Sequence, residues 1–239
     1  MYKILFICSL IPLCANAFIN IESLRENTTD GLNSSLKFLF NQQTGNTDKT
    51  IASASSFNSY EELKDEYIAI AGIQYGESFK QKDTENGSVH LRYTRQLNKK
   101  HYAELYTQYE YNKFKALNSR KLIGFGHRYT TQYINIGVGA FNEHEEISNR
   151  PDQNAIRGNF YISSSVKSET GVEFSSIIYI QPSFERGNDL RSILITGLSQ
   201  KMSNNINLLI EYQNVHDEQP PEDIKSNDSY LMFGLNFTF

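Results

Sequence analysis

Charged residues of opposite sign occur on neighbouring segments of this chain, at spacings that would let them meet. The set comprises Arg92, Glu104, Glu110 and Arg128. Inside a protein such side chains have two uses. They pair with one another, because an unpaired buried charge is costly, or they line an aqueous pathway and set its charge preference. The same polar lining would extend to Arg157 and Glu211, with Lys37, His90 and Glu173.

The sequence offers little for catalysis. Several barrel lipid hydrolases place His and Ser two residues apart on one strand, so that base and nucleophile share a face. No His-x-Ser occurs in this chain. His216-Asp217 is a conceivable protease pair, which we interpret as part of a solvated acidic loop. We therefore predict that the protein is not an enzyme and uses no cofactor.

Two acidic stretches carry groups that can bind a divalent cation. They are Glu143-His144-Glu145-Glu146 and His216-Asp217-Glu218. We interpret both as hydrated loops and predict no metal site. Thiolate ligands and disulfides are also not expected, because Cys8 and Cys14 both lie in an N-terminal segment that export would remove.

That segment has the form of a signal peptide. Lys3 precedes an apolar run at 4–14, and Ala15-Asn16-Ala17 has the small-x-small pattern that signal peptidase cuts. The run is too short for a membrane-spanning helix, which needs about 20 apolar residues. We predict a signal peptide over 1–17, an N-terminal lead over 18–32 and one domain over 33–239. The net charge of −4 disfavours a nucleic-acid partner.

After the leader, segments of about ten residues alternate apolar with polar or small residues, which indicates membrane-crossing strands. We predict twelve, with cores near 33–41, 49–58, 66–76, 86–97, 101–112, 120–129, 133–142, 154–164, 171–181, 189–199, 205–214 and 229–239. Short turns follow strands 4, 6, 8 and 10, and longer charged links are predicted at 77–85, 143–153, 182–188 and 215–228. Such sorting by side is typical of outer-membrane barrels, whose short turns are periplasmic.

Charge decides which face of each strand meets lipid, since a midplane Arg or Lys there costs roughly 2–4 kcal/mol. In strand 5 the uncharged set with Ala103 and Leu105 must face outward, and Glu104 and Glu110 inward. Strands 4, 8 and 11 divide in the same way, whereas strands 2 and 10 are ambiguous. Four glycines of strands 6 and 7 face inward, where they would ease curvature or admit large side chains; we favour curvature. They are Gly124, Gly126, Gly137 and Gly139.

The C-terminal strand carries apolar residues at alternate positions and ends on an aromatic. These residues are Leu231, Phe233, Leu235, Phe237 and Phe239. The pattern resembles the signal read by the barrel assembly machinery, so we predict that machinery as a partner through the Phe239 strand. Other predicted partners are outer-membrane lipid, lipopolysaccharide, and small polar solutes or ions. Tyrosines near the strand ends suit the membrane interfaces.

The residues also resemble a known family. The resemblance is carried by Asn20-Ile21-Glu22-Ser23, Gly45-Asn46-Thr47, Arg92-Tyr93, Glu104, Gln108, Arg120, Gly124, Gly126 and Arg128-Tyr129. Their order and spacing are similar to those of the uncharacterised outer-membrane β-barrel family of the salt-induced outer membrane protein (YdiY-like). The resemblance implies a barrel in the outer membrane and no established activity. His127, on the predicted lipid side, departs from the aliphatic residue expected there.

The sequence therefore predicts an all-β protein, a 12-stranded antiparallel transmembrane β-barrel that follows a cleaved signal peptide and folds in a Gram-negative outer membrane. The predicted function is a small pore or envelope-integrity protein with a charged, polar lumen. Two alternatives stay open: a plugged structural or adhesion barrel, and a lipid-modifying enzyme.

Overall fold

The computed structural model describes residues 30–45, 48–148 and 150–239. The predicted signal peptide and nearly all of the predicted lead lie outside the described residues. Among those that are described, no helix is long and apolar enough to cross a membrane.

Within the described residues the chain forms twelve strands. They are Gly31–Gln43 (β1), Lys49–Glu62 (β2), Asp65–Ser78 (β3), Gln81–Gln96 (β4), His101–Asn112 (β5), Leu117–Thr130 (β6), Ile134–Ile147 (β7), Gln153–Lys167 (β8), Val172–Pro182 (β9), Leu190–Lys201 (β10), Ile206–Asp217 (β11) and Asn227–Thr238 (β12). Each strand pairs with the next, and β12 pairs antiparallel with β1, so the sheet is a closed barrel. The predicted all-β, 12-stranded antiparallel fold is confirmed.

The alternation of side chains gives the barrel an apolar outside and a mixed inside. In β5 the side chain of Leu105 is 57% exposed on the outer face, whereas Glu104 is 3% exposed on the inner face. The outer faces predicted for strands 4, 5, 8 and 11 are correct. The structure also settles the two ambiguous strands: Ile193 of β10 and Phe57 of β2 are buried inside.

The links between strands are shorter than predicted on one side. Positions 77–85 were expected to form a long loop, but only Phe79 and Lys80 separate β3 from β4. Both have positive φ, 49° and 63°, as a tight hairpin turn with right-handed strand twist requires. The loop predicted at 143–153 begins only after Ile147, because β7 continues through the acidic stretch.

Both chain ends of the barrel lie on the side of the links at 63–64, 97–100, 131–133, 168–171 and 202–205. The opposite side carries the links at 183–189 and 218–226, which are longer. We assign the side with the chain ends to the periplasm, as in bacterial barrels of even strand number.

Glycines give room to large side chains on the inner face. A Cβ atom on Gly124 would lie 2.6 Å from the ring of Tyr106 and 2.7 Å from the Cβ of Phe141. One on Gly137 would collide with the ring of Tyr161. At these two positions the structure favours the room for side chains over the curvature that the sequence suggested.

Candidate functional site in the barrel lumen

The six charged residues proposed to line the lumen all lie on the inner face. Five are less than a tenth exposed: Arg92, Glu104, Glu110, Arg128 and Arg157. The side chain of Glu211 is 12% exposed and pairs with Lys37, at 2.8 Å between Nζ and Oε2. They occupy two levels of the barrel that make different kinds of contact.

The level nearer the periplasm holds an inner ion triad of Arg92, Glu104 and Arg128. Nη1 of Arg92 lies 3.4 Å from Oε2 of Glu104, and Nε of Arg128 lies 3.7 Å from Oε1. The hydroxyl of Tyr161 donates to Oε2 of Glu104 at 3.2 Å. The Arg128 guanidinium stacks on Tyr102, at 4.5 Å from the ring centroid. Register brings these residues together because β4, β5 and β6 are consecutive.

The level nearer the cell exterior holds a denser group, the outer ion cluster. It consists of Glu110, Arg120, Glu143, Glu145, Arg157, Asp189 and Arg191. Arg157, which is 0% exposed, donates from Nη2 to both carboxylate oxygens of Asp189 at 2.8 Å and from Nε to Glu143. Hydrogen bonds between a guanidinium and a carboxylate are charge-assisted and therefore stronger than those between neutral groups.

Arg120 and Arg191 tie the outer ion cluster together across the lumen. Nη2 of Arg120 lies 2.8 Å from Glu143 and its Nη1 lies 2.9 Å from Glu110. Arg191 of β10 reaches Glu145 of β7 at 2.8 Å, although β8 and β9 separate the two strands in the sheet. Arg120 thus joins the neighbouring strands β5, β6 and β7, whereas Arg191 braces two strands that are not neighbours in the sheet.

Most of the outer ion cluster was missed at the sequence level. Glu143 and Glu145 were placed in a hydrated loop, but their exposed fractions are 1% and 3%, and both lie on β7. Phe141, Glu143, Glu145 and Ile147 keep the period of two, and this signal could have identified them. Asp217, also predicted in a loop, ends β11 and accepts from Arg191 at 2.9 Å.

Apolar side chains fill the lumen around and between these two levels, in clusters that together form an apolar layer. Its members are Leu39, Phe57, Ile68, Ile70, Tyr106, Leu122, Phe141, Tyr161, Ile177, Tyr179, Ile193, Ile195, Val215, Tyr230 and Met232. On β5, Tyr106 falls between Glu104 and Glu110. A cavity of about 60 Å³, lined in part by Arg92, Tyr106 and Arg120, leaves room for a few water molecules.

The periplasmic end is more open. A vestibule of about 630 Å³ is lined by Glu61, Glu66, Thr94, Tyr102 and Arg128, among others. A second space of about 110 Å³ lies among the ends of β1, β9, β10, β11 and β12 and is lined in part by Lys37 and Glu211.

At the extracellular rim, outside the strands, a hydrogen bond to Glu85 raises the pKa of Lys113.

A closed antiparallel barrel with an apolar outer surface and its polar groups inside is an outer-membrane β-barrel. The chain belongs to the family described as "Protein of unknown function, DUF481", whose profile matches residues 37–239. This agrees with the uncharacterised outer-membrane barrel family that the sequence resembles.

Solved structures support the same fold. The translocator domain of autotransporter NalP from Neisseria meningitidis is similar with a TM-score of 0.55, 10% identity and 92% of each chain covered. The NanC porin is similar with a TM-score of 0.51, 11% identity, and 86% of this chain and 98% of that chain covered. None of the curated proteins compared with this chain matches it. The protein is therefore an outer-membrane barrel.

Proposed function

We propose that the protein is a closed barrel that contributes to the integrity of the outer membrane and holds no open pathway for solutes in its resting state. The observation that carries this proposal is the burial of inward-facing side chains. Arg157, Ile177, Ile193, Ile195 and Tyr230 are each at most 2% exposed. A water-filled channel would expose such side chains to solvent.

The charge arrangement supports the same function. In the outer ion cluster each guanidinium contacts two or more carboxylates, so little field is left to attract a passing ion. The bonds made by Arg191 brace the barrel at its extracellular end. A rigid barrel whose lumen excludes water can reinforce the outer membrane without making it permeable to solutes.

Conduction of small polar solutes, the pore function that the sequence also predicts, stays a prediction. It would need the apolar layer and the outer ion cluster to move aside. The periplasmic vestibule near Arg128 would then be the inner end of the pathway. Recognition of the Phe239 strand by the barrel assembly machinery also stays a prediction, which site-specific crosslinking from that strand during assembly would test.

The two functions separate in planar bilayers. We expect the refolded wild type to give no discrete conductance steps. A variant with Tyr106, Phe141, Ile193, Arg120 and Arg191 replaced by Ser should conduct, because it removes side chains both around the 60 Å³ cavity and from the outer ion cluster. Heat-modifiable migration would verify that both proteins are folded. Wild-type steps whose ion selectivity shifts in Arg92→Gln or Arg128→Gln would overturn the closed state and establish a pore.

The envelope role needs a test in cells. A strain that lacks the protein should admit more of a large antibiotic or dye, and both wild type and a variant shown to be silent in bilayers should restore the barrier. An unchanged barrier would contradict the envelope role while leaving the closed lumen intact.

A further inference from the structure

Two of the five histidines lie side by side on the outer face of the barrel at its periplasmic rim. His101 begins β5 and His127 lies in β6. Nδ1 of His101 is 3.1 Å from Nε2 of His127, and the ring centroids are 5.0 Å apart. The ring of Tyr129 packs on His101 at 5.1 Å.

Strand register accounts for the pair. His101 is opposite Tyr129 and Ala103 is opposite His127, so the two histidines are diagonal neighbours on one face, within reach of each other. Ala103 has a small side chain and leaves the His127 ring space to meet His101. The closed lumen is on the other face of these strands, so the pair plays no part in filling it.

The geometry of the pair is close to that of a metal chelate. Two nitrogens that bind one Zn²⁺ at about 2.0–2.1 Å from adjacent corners of a tetrahedron are about 3.3 Å apart. The observed separation of 3.1 Å therefore differs by only a few tenths of an ångström. Without metal, one ring N–H donates to the other ring. To bind an ion, the donor ring would shift this proton to its own second nitrogen and turn its freed lone pair toward the ion.

We propose that His101 and His127 bind a divalent transition-metal ion of the Zn²⁺ class at the periplasmic rim of the barrel. Imidazole suits Zn²⁺, Cu²⁺ and Ni²⁺ and not the hard cations Mg²⁺ or Ca²⁺. The described residues hold no group of three or more His, Cys, Asp or Glu that could bind a metal. In this proposal the pair supplies two ligands, and water or the phosphate oxygens of a lipid headgroup complete the coordination.

The surroundings set the expected strength of binding. Lys100 lies close, with Nζ 6.0 Å from the centroid of the Tyr129 ring, and its positive charge opposes a cation. With only two imidazoles beside this lysine, we expect weak binding in detergent. A lipid phosphate would offset the lysine charge and tighten it.

Other histidines of the chain provide matched controls. Nδ1 of His144 contacts Oδ1 of Asn154 at 2.9 Å, and Nδ1 of His216 contacts Oδ1 of Asn227 at 2.9 Å. Each is an outward-facing histidine that contacts an amide of a neighbouring strand in place of a second imidazole. His144 also lies 3.7 Å from a carboxylate oxygen of Glu146, so His216 is the matched control. Its replacement changes the histidine content without changing the pair.

The test is calorimetric titration of ZnCl₂ into the refolded barrel in a sugar detergent that has no phosphate. We expect one ion per barrel, at least tenfold weaker binding in His101→Ala and in His127→Ala, no change in His216→Ala, and no heat with MgCl₂. Circular dichroism would verify the fold of each variant. Repeating the titration in phospholipid nanodiscs separates water from phosphate as the third ligand, since only phosphate would tighten binding.

Two results would overturn the proposal. One is Zn²⁺ affinity that survives in the double variant His101→Ala, His127→Ala. The other is an equal loss in His216→Ala, which would indicate unspecific binding to surface histidine. Neither result bears on the closed lumen, which the conductance experiment addresses alone.

Discussion

The two ends of the lumen differ although the same twelve strands build both. Toward the exterior, Arg157 and Glu143 are 0% and 1% exposed and are held by several partners. Toward the periplasm, spaces of about 630 Å³ and 110 Å³ remain. Alternation alone therefore does not decide whether a barrel is filled; the size of the inward side chains does.

Side-chain length explains the difference. At the extracellular end, Arg and Glu side chains of β6, β7, β8 and β10 extend into the lumen. They are long enough to form ion pairs with one another there. On the periplasmic side the same strands carry short residues such as Gly126, Gly139 and Ser199, and the ion pairs of Arg92 and Arg128 with Glu104 join only the neighbouring strands β4, β5 and β6. A barrel of this strand number is wide enough for either outcome.

The largest effect is expected from removal of the central arginine of the outer ion cluster. Arg157→Met leaves Glu143 and Asp189 without their most buried partner, and breaking a buried ion pair typically costs about 3–5 kcal/mol. We expect a value at the lower end of this range, because Arg120 and Arg191 still contact Glu143. Urea unfolding of the barrel in lipid vesicles measures it.

Arg128→Met is the matched control at the periplasmic end. Its contact with Glu104 is 3.7 Å long, Arg92 also pairs with Glu104, and the vestibule gives water access. The loss of unfolding free energy should be less than half of that for Arg157→Met. Equal losses of unfolding free energy in the two variants would show that ion pairs stabilise both ends of the lumen equally, which would contradict the difference between the two ends.

An intermediate effect is expected from a methyl group added beneath the apolar layer. Gly124→Ala would crowd the ring of Tyr106 and the Cβ of Phe141, and overpacking typically costs about 1–3 kcal/mol. Gly126→Ala, two residues along the same face, meets the backbone oxygen of Val138 at 3.3 Å, a tight contact but a milder one than at Gly124, so we expect a smaller loss. The same urea titration applies, and a loss in Gly126→Ala as large as in Gly124→Ala would mean that the periplasmic end is equally tight.

The smallest effect is expected on the outer surface, directly behind the outer ion cluster. Lys121 and Glu146 pair at 3.1 Å with side chains 57% and 39% exposed. Exposed ion pairs contribute little to stability. Lys121→Gln should leave the urea midpoint within experimental error. A clear shift of the urea midpoint would indicate that burial is not the reason why the ion pairs of the outer ion cluster stabilise the barrel more than this exposed pair does.

The sequence predicted the strands and their faces well because both follow from a period of two along a single strand. It did not predict the packing of the lumen, which depends on contacts between strands far apart in the sheet, such as Arg191 with Glu145. Glu143 and Glu145 were assigned to a loop because acidic runs are usually hydrated. The two arginines that contact both glutamates, Arg120 and Arg191, lie more than twenty residues away on either side of them.

The seam between the first and last strands sets the order in which the molecule can assemble. β1 pairs with β2 along its whole length, from Gly31 opposite Glu61 to Gln43 opposite Lys49, but with β12 only from Ser35 opposite Thr238 to Phe40 opposite Phe233. Until translocation of the chain is complete, β1 has no partner on that edge, and an open edge recruits other chains. Ring closure is thus a post-translocational event, and the interval before it is when the nascent polypeptide most needs chaperoning.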